Sequence, residues 1–204
     1  MKRFWRVPLF ALAFVLVLSP AGPLQAAVGP VAVVEEFHAQ LLAVMKEAKA
    51  LPVQGRFDRL APTMDRTFDL KRMIQVASSP QWASADDAQK SRLFEAFRRL
   101  STATYASQFD GYAGEKFETV GERPGPQNTV LVETRIVESN GTDVGLTYVV
   151  KQEGDQWRIA DILLDNSVSQ LAVRRSEYRK ILKDSGLSGL IDTLDKKTGE
   201  LLAK

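Results

Sequence analysis

The chain has 204 residues, no cysteine, a single histidine, and 27 Lys+Arg against 25 Asp+Glu. Lys2, Arg3 and Arg6 sit in a leader-like N-terminus without acids, leaving 24 basic against 25 acidic residues, a balance that gives no argument for nucleic acid. One histidine and no thiol remove most routes to a metal site or a cysteine nucleophile, and the sequence has no Gly-rich phosphate loop, internal repeat or low-complexity tract.

The three basic residues precede an apolar run of 12 residues, Val7 to Leu18, then Ser19-Pro20 and small residues ending Leu24-Gln25-Ala26. That order predicts a secretory signal over residues 1–26, cleaved after Ala26. A membrane anchor is the alternative, and the run is short for a span of ~20 residues. Residues 27–204 are then expected to form one domain held without disulfides, with Ala27–Val33 as an exposed lead-in.

From Val34, apolar residues at Val34, Phe37, Leu41, Val44, Ala48 and Leu51 define a helical stripe that Pro52 and Gly55 end. His38 stands beside it, read as a boundary residue with one hydrogen bond because no partner motif accompanies it. Gln54–Pro62 reads as a short helical turn and Phe68–Val76 as a short helix, with Trp82 beyond it as a cap on the core. Ser84 and Asp87 suggest a capping-box start for a long helix striped by Leu93, Phe97, Leu100 and Thr104 and ending before Gly111.

Lys116–Val120 is a first strand. Thr129–Val137, Asp143–Gln152 and Trp157–Leu164 follow, separated by Asn140-Gly141 and Gly154 turn chemistry, and form an antiparallel meander. The central strands carry apolar residues on both faces, so each side of the sheet is expected to be covered or filled. Asp165-Asn166-Ser167 caps a helix from Val168 that points Leu171, Tyr178, Ile181 and Leu182 inward; Gly186 stops it, and a final amphipathic helix carries Leu187 to Leu201. Helices, then strands, then helices give an α+β fold with an antiparallel sheet of about four strands packed by several helices.

Two carboxylate pairs, Asp161 with Asp165 and Asp65 with Asp69, come without a base, metal ligand or oxyanion feature, and strand-end and cap roles suit them. Arg174, Arg175, Arg179 and Lys180 form a basic cluster suited to lipid phosphates or an acidic partner, or to a solvated face.

Leu93–Val120, with Phe97, Leu100, Thr104-Tyr105-Ala106 and Tyr112, resembles the MlaC-like periplasmic lipid-binding proteins of the Mla and toluene-tolerance transport systems. Phe68-Asp69, Trp82 and Gln89 upstream, and Gln156–Ile162, Val168-Ser169 and Arg175-Ser176-Glu177-Tyr178 downstream, extend the likeness from about Val34 to Leu194. The chain departs from the pattern at Ser78–Gln81, Ser167 and Arg174, which fits a branch associated with hopanoid synthesis. The resemblance implies a non-enzymatic carrier that shuttles a phospholipid or hopanoid between membrane-bound transporter components through transient membrane contact, without a cofactor. It also implies an apolar cavity, for which the two-faced strands and paired phenylalanines supply candidates: Phe94, Phe97, Leu100, Tyr105, Val132, Leu146, Tyr148, Val150 and Ile162. The basic cluster would then meet partners. Two other classes compete: an isomerase or dehydratase on a cone-shaped α+β fold, using Asp161 and Tyr148, and a non-catalytic envelope interaction module whose sheet packs fully.

Overall fold

The computed structural model describes residues 29–204, so the leader and its cleavage site lie outside the described residues. α1 (Pro30–Glu47) begins earlier than the apolar stripe suggested. Pro30 stands in its first turn, where a fixed φ helps and a missing N–H costs nothing. Val33 is already buried, so this part of the expected lead-in is helix. One face of α1 buries Val34, Phe37, His38, Leu41 and Val44, each large apolar side chain contributing about 1.5–3 kcal/mol.

α2 (Val53–Thr67) runs through Pro62, where a short turn was expected to stop. Leu60, Thr63, Met64 and Thr67 are buried on both sides of the proline, and this packing outweighs the lost backbone bond. Phe68 then leaves the helix for a parallel bridge to Ile159, and the Asp69 amide donates to the Ile159 carbonyl at 2.9 Å. Asp69 caps α3 (Leu70–Ala77) by accepting from the Arg72 amide at 3.0 Å. Trp82, in the one-turn α4 (Gln81–Ser84), is buried against the core. The capping box of α5 (Asp87–Gln108) is Asp86 with Gln89, not Ser84 with Asp87, because Ser84 still belongs to α4.

β1 (Lys116–Pro124), β2 (Thr129–Val137), β3 (Asp143–Glu153) and β4 (Gln156–Leu164) form the antiparallel meander, and β5 (Val168–Ser169) adds a two-residue fifth strand against Leu163 and Leu164. Gly141 (φ 82°) and Gly154 (φ 58°) take the left-handed backbone that the two hairpin turns require. Because Val168 and Ser169 pair as a strand, α6 (Gln170–Leu202) is capped by Ser169, whose Oγ accepts from the Ala172 amide, and not by Asp165–Ser167. Gly186 (φ 64°) breaks α6 into two helical segments where the stop was expected.

Val132, Tyr148 and Ile162 stand in register across the inner face of the sheet, under α1. The outer face is covered only in part: Leu131 and Thr147 are buried there, Thr147 under Asn166. It carries ion pairs from Arg135 to Glu118 and Asp143 and from Arg123 to Glu133, all substantially exposed. Buried side chains from α1 to α6 and β2 to β4 form one continuous cluster.

Candidate ligand cavity

A cavity of about 320 Å³ lies between the inner face of the sheet and the helices. Period-two alternation brings Val144, Leu146 and Tyr148 of β3 to its floor, beside Ile136 of β2 and Ile162 and Leu164 of β4. Helical spacing brings Phe97, Leu100, Ser101, Thr104, Tyr105 and Gln108 of α5 to one wall. Gln170, Leu171, Arg174 and Tyr178 of α6 form another, and the fully buried Phe37, Leu41, Met64 and Phe68 close the deep end.

An aromatic cluster gives the deep end its shape. Phe37 meets Phe68 edge-on at 4.9 Å between centroids and Tyr105 at 5.1 Å. His38 Nε2 and the Tyr148 hydroxyl share a hydrogen bond of 2.8 Å, with the imidazole stacked on Phe117 at 4.5 Å. His38 is therefore a core residue, not a boundary one. Burial lowers its pKa to about 4, so it is neutral at pH 7. Burial pushes the Tyr148 and Tyr105 phenols up, against the pull of Arg174 on Tyr105. Tyr178 is raised by burial to about 12, with Arg174 again opposing, and its hydroxyl has no hydrogen-bond partner.

Six of the nine expected cavity residues line this space: Phe97, Leu100, Tyr105, Leu146, Tyr148 and Ile162. Val132 and Val150 face the same way but are fully buried in packed core, and Phe94 is half-buried beside the cluster. Arg174 separates from the rest of its basic cluster: it is part of the cavity wall, while Arg175, Arg179 and Lys180 are exposed. Asp161 is not on the wall. Its carboxylate accepts from the Ser169 hydroxyl and from the amides of Leu171 (3.0 Å) and Ile162 (2.8 Å), which ties β4 to the start of α6.

Sequence reasoning missed the contribution of α1 to α3, because a stripe facing a cavity has the same spacing as one facing packed core. It also missed Arg56, a buried guanidinium bonded to the carbonyls of Ala106 and Leu51, each at 2.7 Å. Above it lies a wider depression of about 570 Å³ near the C-terminus. That depression is edged by Lys49, Gln54, Asp110 and Lys204 without one aromatic ring, so the smaller, apolar cavity is the better ligand site. Among the described residues, no group of three or more His, Asp or Glu side chains is placed to hold a metal ion.

Fold and cavity together define an α+β protein in which helices close an antiparallel meander over an apolar space. The chain belongs to the MlaC protein family, whose model matches residues 35–196. Among solved structures it resembles the phospholipid-binding protein from Ralstonia solanacearum in complex with a phospholipid, with a TM-score of 0.74 at 23% identity over 86% of this chain and 99% of that one. At that identity the likeness is one of fold.

Proposed function

We propose that the protein is a periplasmic lipid carrier. In this reading residues 1–26 are a cleaved export signal, and residues 27–204 form a single lipid-binding domain that takes a phospholipid or a hopanoid-type lipid between membrane-bound transporter components. The observation that carries the proposal is the apolar cavity itself, some 320 Å³ left unfilled where a module made only to bind protein would pack its core. Membership of the MlaC family, and a similar fold that holds a phospholipid in the Ralstonia protein, support it.

The physical need is plain. Exposing a chain of about 14 methylenes to water costs roughly 11 kcal/mol at ~0.8 kcal/mol each. A dry cavity removes most of that cost, so that extraction becomes nearly neutral and direction comes from partners. Two observations favour binding over isomerase or dehydratase chemistry: Asp161 is engaged by three donors away from the cavity, and Tyr148 is held by a neutral His38.

Leu164, Val168 and Val173 are exposed where β4, β5 and α6 meet, close to Arg175, Arg179 and Lys180 in the chain. An apolar edge with basic neighbours suits brief contact with a membrane or a transporter component. The test is transfer of a fluorescent phospholipid between donor and acceptor vesicles by the purified mature chain. Carrier function predicts a rate proportional to protein concentration; exchange no faster than without protein contradicts it.

A further inference from the structure

Besides the phenols of Tyr105, Tyr148 and Tyr178, the cavity wall carries five polar or charged side chains among the described residues, all at least partly exposed: Ser101, Thr104 and Gln108 on α5, and Gln170 and Arg174 on α6. Arg174 is the only charged residue among them. Its side chain is 36% exposed, so it stands where the cavity meets solvent. Nη1 donates to Glu177 Oε2 at 3.0 Å, and Nε and Nη2 have no partner among the described residues.

One turn further along the same helix face, Tyr178 is 2% exposed and its hydroxyl is unpartnered. A buried hydroxyl without a partner has lost its water and gained nothing in exchange, a penalty that a ligand oxygen would relieve. Arg174 also sits near enough to the Tyr105 and Tyr178 phenols to oppose the rise that burial causes in both.

We infer that Arg174, with the Tyr178 hydroxyl, anchors an oxyanion at the cavity mouth, so that the ligand class is an amphiphile with apolar chains inside and a phosphate or carboxylate at the opening. This inference rests on the carrier reading and narrows it: a hydrocarbon hopanoid leaves both the guanidinium fork and the phenol without partners, whereas a phosphate accepts from each. A planar guanidinium suits two oxygens of one phosphate, and Glu177 engages only Nη1, which leaves Nε and Nη2 available to a ligand. The unequal polarity of the wall also sets the order of entry, with the chains going in first and the headgroup stopping at α6.

The experiment compares dioleoyl phosphatidylglycerol, dioleoylglycerol with the same chains and no phosphate, palmitate, and the neutral hopanoid diploptene. Each is offered from detergent micelles to wild type, Arg174→Gln, Arg174→Lys and Tyr178→Phe proteins, with bound lipid quantified after gel filtration. Wild type should hold phosphatidylglycerol at least tenfold more tightly than dioleoylglycerol. Arg174→Gln should remove that preference without weakening dioleoylglycerol binding, Arg174→Lys should restore part of it, and Tyr178→Phe should weaken phosphatidylglycerol about threefold. Palmitate bound as selectively as phosphatidylglycerol identifies a carboxylate ligand; palmitate bound like dioleoylglycerol identifies a phosphate one.

Equal binding of phosphatidylglycerol and dioleoylglycerol by wild type, or unchanged selectivity in Arg174→Gln, overturns the anchor and leaves the carrier standing. If no lipid binds at all, carrier and anchor fall together. Because Arg174 is partly exposed and its ion pair with Glu177 is local, near-UV circular dichroism of Arg174→Gln should match wild type and keep the comparison valid.

Discussion

Lowering the pH from 7 to 5 should destabilise the protein through one residue, His38, by about 2 kcal/mol. Imidazole is ordinarily half-protonated near 6.5, and burial beside Phe37, Phe117 and Tyr148 lowers this to about 4 in the fold. Between those values the unfolded chain binds the proton and the folded one does not. Stability is therefore full above about pH 6.5, falls as the pH drops, and the loss is complete below about 4, where it reaches roughly 3 kcal/mol. Glu153 works with the opposite sign: burial and the neighbouring Asp69 raise its pKa, so acid relieves a cost there. Comparison with a variant is needed for that reason. In His38→Leu/Tyr148→Phe both partners of the 2.8 Å bond are replaced by apolar groups, which leaves no orphan. Urea unfolding at pH 7 and pH 5 should show wild type losing about 2 kcal/mol more than the variant. Parallel losses in the two proteins would refute the assignment of His38 as a buried neutral residue.

Three further outcomes follow from the same geometry. Glu153→Gln should raise the Tm at pH 7, with the gap to wild type closing as the pH falls through the raised Glu153 pKa; a Tm unchanged at pH 7 would show that the charge carries no cost. Leu146→Trp and Phe97→Trp should fill the cavity and block phospholipid uptake while circular dichroism stays native, because the added bulk enters open space; unfolding of both variants would mean the site is packed core. Reversing charge in Arg179→Glu/Lys180→Glu should slow transfer to membranes, with high salt mimicking the effect on wild type, and transfer indifferent to both would return these residues to a solvated face.

The sheet was largely legible in the sequence because its turns have local chemistry. Gly141 and Gly154 take positive φ, and the chain turns at them between β2 and β3 and between β3 and β4. Gly186 was legible for the same reason. What was not legible depends on contacts distant in the chain. Pro62 should end a helix, yet α2 passes through it because Leu60 and Met64 are held in the core. Ser169 rather than Asp165–Ser167 caps α6 because Val168-Ser169 first pairs with Leu163-Leu164.

The cavity was half legible. Alternation in β3 and the phenylalanine-rich turn of α5 pointed to Leu146, Tyr148 and Phe97, whereas Val132 and Val150 share that pattern and meet packed neighbours instead. Arg174 looked like any other member of a basic helix. Only the three-dimensional position of α6 against α5 separates the one arginine on the cavity wall from those in solvent.

Native mass spectrometry of the mature chain, purified from the periplasm without detergent, tests the carrier reading most directly. The expected spectrum has a dominant species heavier than the apoprotein by the mass of one lipid, released by organic solvent as an intact phosphate-bearing amphiphile and absent from Leu146→Trp. A wild-type spectrum showing only the apoprotein mass, with unchanged apoprotein after incubation with phosphatidylglycerol, would contradict it.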